Sequence, residues 1–131
     1  MLAHVVGCSP EEACGLLAGT GETVRAIFPV TNRAHSSSRF EMDPKEQLKV
    51  FNLLEESQLE LLGIYHSHPN GPAYPSETDI NSFLYPGVAY IIWYWMGETW
   101  DVQGFAIEAG SYFKILLEFS GWRNPTTTRG L

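Results

Sequence analysis

Charge and cysteine are both scarce in this chain. Only 18% of its 131 residues are Asp, Glu, Lys or Arg, against 44% hydrophobic and 13% aromatic, a balance too apolar for a disordered tail. Basic residues are the scarcer sign, with eight Lys and Arg facing fifteen Asp and Glu for a net charge of -7. Such a chain repels a phosphate backbone, so no nucleic-acid partner is expected. Two cysteines, Cys8 and Cys14, make no disulfide scaffold, and a domain that buries roughly 65–70% of its unfolded surface needs none. Long hydrophobic runs are missing too: Ala89 to Met96 falls far short of the roughly 20 residues of a membrane helix. No basic segment followed by an apolar stretch opens the chain. The expectation is a cytoplasmic protein with reduced thiols and no membrane partner.

No repeat or linker divides the sequence, so one domain is expected over residues 1–120, with 121–131 as a loose tail. Ala13 to Gly19 and Glu22 to Thr31 read as two strands joined at Thr20-Gly21, and Phe40 to Met42 as a short pairing segment. Asp43-Pro44-Lys45-Glu46 has the parts of a helix start, with an N-cap, a proline in the first turn and a glutamate three residues after the cap. That helix runs to about Gln58, and Leu48, Phe51 and Leu54, with Val50 and Leu53 beside them, form its buried stripe. Leu61 to His68 reads as a strand, and Ser76-Glu77-Thr78-Asp79 as the opening of a second helix ending near Tyr85-Pro86. Val88 to Trp95, Thr99 to Glu108 and Tyr112 to Phe119 are further strands, the last with a helix as its alternative. The fold class is α/β, a mixed or mostly antiparallel sheet covered by two or three helices.

The chemistry concentrates after the strand that starts near Leu61. Residues two apart on a strand point to one face, so His66 and His68 can reach a single ion, and Pro69 holds His68 extended. The proline-rich segment to Pro75 brings Ser76 and Asp79 back beside the strand. Two imidazoles and a carboxylate suit Zn2+, and three protein ligands leave a fourth tetrahedral position for water, as catalytic zinc requires. Taken alone, Ser76 and Asp79 read first as a capping box, and two histidines at a strand end as a solvated rim. His, His, Ser and Asp at fixed offsets within fourteen residues outweigh those separate accounts.

His66-Ser67-His68-Pro69, seven residues from His68 to Ser76, and two more to Asp79 resemble the H-x-H-x7-S-x2-D signature of the JAMM (MPN-plus) metalloproteases. Glu12-Ala13-Cys14-Gly15-Leu16-Leu17-Ala18-Gly19 looks like the segment that carries that family's upstream glutamate, which falls on Glu12 rather than Glu11. The resemblance covers roughly Leu2 to Phe119 and is closest to the short prokaryotic branch. It implies a single MPN-type domain with a curved sheet and cytidine-deaminase-like layering. It also implies Zn2+ held by His66, His68 and Asp79, Glu12 as proton carrier for the zinc-bound water, and Ser76 as oxyanion donor.

The activity implied is cleavage of an amide bond after the C-terminal tail of a ubiquitin-like or sulfur-carrier protein ending in Gly-Gly. A homodimer is plausible by the same resemblance, and the Asn32 to Arg39 loop is a candidate for substrate contact. Two other readings stand beside this one: a noncatalytic MPN-type scaffold, and a zinc peptidase acting on small peptides. Retention of every signature position argues against the first.

Overall fold

Cys14, Leu16 and Ala18 face one way along a strand and Ala13 and Leu17 the other, and all are buried, which places this strand inside a sheet covered on both faces. The computed structural model describes residues 1–120, so the expected tail at 121–131 lies outside the described residues. Its elements are α1 (Leu2–Cys8), β1 (Cys14–Thr20), β2 (Thr23–Val30), α2 (Pro44–Ser57), β3 (Glu60–His68), α3 (Glu77–Asn81), β4 (Ala89–Trp95), β5 (Trp100–Glu108) and β6 (Ser111–Ile115). The six strands form one open sheet in the order β2-β1-β3-β4-β5-β6. β3 and β4 are parallel, and the other pairs are antiparallel. The mixed α/β class expected from the sequence is the one observed.

One core cluster joins Cys14, Leu16, Ile64, Tyr90, Ile92 and Phe105 to Val50 and Leu54 of α2. The opposite cluster joins Leu17, Tyr65, Ile91 and Trp93 to Val5 of α1, a helix the sequence reading lacked. Cys14 lies in the first cluster and Cys8 packs against the second, so the sheet separates the two free thiols. Burial pushes the Cys14 thiol up to about 12, and its Sγ donates to the Val30 carbonyl at 3.4 Å.

Several local expectations change. Asp43 caps α2 by accepting from Lys45 N and Glu46 N, but Glu46 turns away from the cap and accepts from the Thr31 N–H and hydroxyl at 3.2 and 3.1 Å. On α2 the core takes Val50, Leu54 and the half-buried Phe51, whereas Leu48 and Leu53 are 60% and 47% exposed. At about 100° per residue these two leucines fall on either flank of the arc that faces the sheet. α3 stops at Asn81 instead of near Tyr85, with Ser82 as its C-cap donating to the Thr78 carbonyl. Phe40 to Met42 contributes one bridge, Asn32 to Met42, rather than a strand. The last run is strand as far as Ile115.

Gly15 pairs with Tyr65 across β1 and β3, and a Cβ at Gly15 would enter the Tyr65 ring. Tyr65 is fully buried and its hydroxyl is bonded to His4 Nδ1 at 2.8 Å, so the ring cannot retreat. His4 is half-buried. Gly15→Ala should lower stability by about 1–3 kcal/mol, read as a lower urea midpoint at unchanged slope.

Candidate active site

β3 ends with His66 and His68 on one face of the sheet, both buried. The turn that follows brings α3 back so that Asp79, also buried, meets them. The two Nε2 atoms stand 2.8 Å apart, and Asp79 Oδ2 lies 3.2 Å from that of His66 and 3.1 Å from that of His68. For metal–ligand bonds of about 2.0–2.1 Å, the edge of a tetrahedron is about 3.3 Å. The three donor atoms stand slightly closer than that and can face a single ion.

His68 Nδ1 lies 2.6 Å from the Pro72 carbonyl, which only accepts, so Nδ1 carries a proton. Asp79 Oδ2 accepts from Ser76 N at 2.9 Å. Burial alone would raise the Asp79 carboxyl, but the two imidazoles and the Ser76 N–H hold it well below the usual carboxylate range. Burial lowers His66. It would lower His68 too, but the bonds to Asp79 and the Pro72 carbonyl raise it. Lone-pair atoms this close repel unless a proton or a cation stands between them, and this donor set can hold a metal ion.

Glu12 joins this cluster. It is 3% exposed, and it offers a carboxylate oxygen that, with one nitrogen from each of His66 and His68, makes a set of atoms all within 4.8 Å of one another. Oε1 has no hydrogen-bond partner among the described residues. Burial pushes its pKa up to about 8, with His68 opposing and Asp79 adding. Glu11 behaves quite differently: its carboxylate lies 3.3 Å from the exposed His35.

Ser76 caps α3. Its Oγ accepts from Asp79 N at 3.0 Å while its own N–H holds Asp79 Oδ2, so both halves of the capping box are present. The hydroxyl accepts in that bond and retains a proton to donate. All five candidate positions are accounted for: Glu12, His66, His68 and Asp79 converge, and Ser76 orients Asp79. Tyr74, on the loop between, stacks parallel to Tyr112 at 6.2 Å.

Other residues at the site carried no motif. Phe40 lies against the His66 ring at 4.6 Å and Tyr90 meets it edge-on at 5.1 Å. Asn32 bonds the Glu12 carbonyl, and Ser67 bonds Ala13 N. An Asn at the end of a strand, opening a loop, is a signal for local turn bonding, but its reach to Glu12 spans twenty positions.

Comparison with known proteins places the chain among JAB-domain proteins. Residues 1–108 match the family described as prokaryotic homologues of the JAB domain. The chain is similar to a CysO-cysteine peptidase of Mycobacterium tuberculosis, 38% identical over 94 residues, 70% of this chain and 64% of that one. A desampylase of Haloferax volcanii is 38% identical over 89 residues, 66% and 64% of the two chains. A probable TtuB-protein conjugate cleaving protease of Thermus thermophilus is 43% identical over 117 residues, 88% and 74%. The match spans just under two thirds of the first two relatives' length. Among solved structures, a Desulfitobacterium hafniense protein superposes with TM-score 0.77 at 32% identity, covering 88% of this chain and 82% of its own. A JAB1/MPN domain protein from Archaeoglobus fulgidus shares the fold at TM-score 0.54 and 20% identity, covering 89% and 87%. With its matched segment running from the first residue through β5 and including every candidate site position, the chain belongs to the prokaryotic JAB-domain family.

Proposed function

We propose that the protein is a zinc-dependent hydrolase that cleaves the amide bond after the Gly-Gly tail of a ubiquitin-like or sulfur-carrier protein. The observation that carries this reading is the meeting of two imidazole nitrogens and the Asp79 carboxylate within 3.2 Å of one another, beside the buried carboxyl of Glu12. His66, His68 and Asp79 hold the zinc. Glu12 is a less suitable third ligand, because the Asp79 oxygen stands closer to both rings and is already oriented by Ser76 N–H. Bound zinc supplies an acidified water and a Lewis acid for the scissile carbonyl.

The chain's own groups do the rest. Glu12, buried beside the two imidazoles, takes a proton from the attacking water and passes it to the leaving amine. Ser76 turns its free O–H toward the oxygen that gains charge. The Pro72 carbonyl keeps His68 in the tautomer a metal needs. Asn32 to Arg39 borders Glu12, with Ser36 O accepting from Glu12 N at 2.8 Å, and forms one wall for the substrate tail. Substrate class comes from the relatives named for CysO-cysteine, TtuB conjugates and desampylation. Two free cysteines suit a cytoplasmic setting, and among the described residues no helix is long and apolar enough to cross a membrane.

The test sets a carrier-protein adduct, joined through its Gly-Gly end to cysteine or a lysine side chain, against a free peptide of the same tail sequence. The adduct should be preferred by more than about tenfold in kcat/KM, equivalent to about 1.4 kcal/mol. Chelation should abolish turnover and added zinc should restore it. Equal cleavage of the free peptide would favour a small-peptide peptidase, and no cleavage by the zinc-loaded protein would favour a scaffold.

A further inference from the structure

Glu12 precedes β1 and belongs to no helix or strand, so neither element holds its backbone. Yet the N–H and carbonyl of both Glu12 and Ala13 are bonded. Its N–H donates to Ser36 O at 2.8 Å, and its carbonyl accepts from Asn32 Nδ2 at 3.0 Å. The next N–H, of Ala13, donates to Ser67 Oγ at 2.8 Å, while Ser67 N donates back to Ala13 O at 3.0 Å.

We propose that Asn32 and Ser67 are positioning residues that fix Glu12 at the metal site, an inference that rests on reading Glu12 as the proton carrier. Asn32 is 7% exposed and uses its whole amide. Nδ2 donates to Glu12 O and Arg39 O, and Oδ1 accepts from Ala34 N and Glu41 N. One side chain therefore closes the loop from 32 to 41 and fastens it to Glu12. The same loop sets Phe40 on the His66 ring, so the backbone of Glu12 and one imidazole share a support. Ser67 is fully buried, and strand alternation points its side chain to the face opposite His66 and His68. Its hydroxyl can be removed without touching the face where the imidazoles meet.

A carboxylate moved by about 1 Å loses on the order of 100-fold in rate. In the zinc-loaded protein, Ser67→Ala, Asn32→Ala and Asn32→Asp should each lower kcat by about 10–100-fold, with KM changed less than about threefold and zinc content unchanged. Asn32→Asp keeps an acceptor for Ala34 and Glu41 but loses the donors to Glu12 O and Arg39 O, so it removes the hold on Glu12 while retaining half of the loop's bonds. Ser67→Thr retains the hydroxyl and should restore kcat to within about threefold of wild type. Amide exchange supplies a readout independent of turnover: Ala13 N–H should lose protection in Ser67→Ala and keep it in Ser67→Thr.

Wild-type kcat in Ser67→Ala, equal losses in Ala and Thr variants, or effects confined to KM would overturn the proposal. Should the zinc-loaded wild type leave the adduct intact, the hydrolase reading falls. Exchange then decides the clamp alone, and unchanged protection at Ala13 and Glu12 in Ser67→Ala and Asn32→Ala would overturn it.

Discussion

Glu12→Gln should lower turnover by about 10²–10⁴-fold while zinc content and fold are retained, and should make the metal-free protein more stable. The two effects share one cause. Glu12 is buried beside Asp79, and its pKa is raised from 4.5 to about 8. Between those values the folded protein keeps a proton that the unfolded chain has released, so stability falls as pH rises through this window. Below 4.5 both states hold the proton and nothing is lost. Glutamine never ionises and escapes the loss, with a gain above pH 8 of about 5 kcal/mol at most. Urea unfolding of the metal-free proteins at pH 5 and pH 8.5 should show the variants' gap widening with pH. A gap independent of pH would mean that Glu12 is not held as a buried acid, and undiminished turnover would remove it from the mechanism.

Asp79→Asn and His68→Ala should move metal binding rather than proton transfer. Loss of an outer partner typically costs 10–100-fold in metal affinity, so loss of a ligand should exceed about 100-fold, and turnover at limiting zinc should fall in parallel. Asparagine still offers an oxygen to Ser76 N–H, so the start of α3 survives and the affinity loss is separable from misfolding. In the metal-free protein Asp79→Asn should be destabilising, by about 1–3 kcal/mol, because it removes the carboxylate that both imidazoles face. That sign is opposite to Glu12→Gln, two carboxyls of one site. Metal analysis showing full zinc in Asp79→Asn would remove it from the ligand set.

The fold and the site were legible where the signal is local. Strand alternation puts His66 and His68 on one face, a rigid proline-rich turn returns Asp79, and the Asp43-Pro44 start opens α2 at that place. Signals that depend on distant partners were not readable. Asn32 and Ser67 act on backbone 20 and 54 positions away, and nothing in their own neighbourhoods marks them. Five apolar residues spread around α2 leave two choices for its buried arc, and only the sheet selects Val50 and Leu54 over Leu48 and Leu53. Glu46 follows the same rule: its spacing from Asp43 allows a reciprocal cap, but the nearby Thr31 offers two donors and wins it.

The parallel pairing of β3 with β4 has a consequence for the order in which the molecule is made. Every residue proposed to serve the metal precedes β4 in the chain, and the strand that seats beside His66, through Ile92 and the Tyr90 ring, is synthesised after them. A nascent chain therefore carries the full complement of ligands before it has the wall behind them. The wall behind the proposed ligands is complete only when the centre of the sheet has closed.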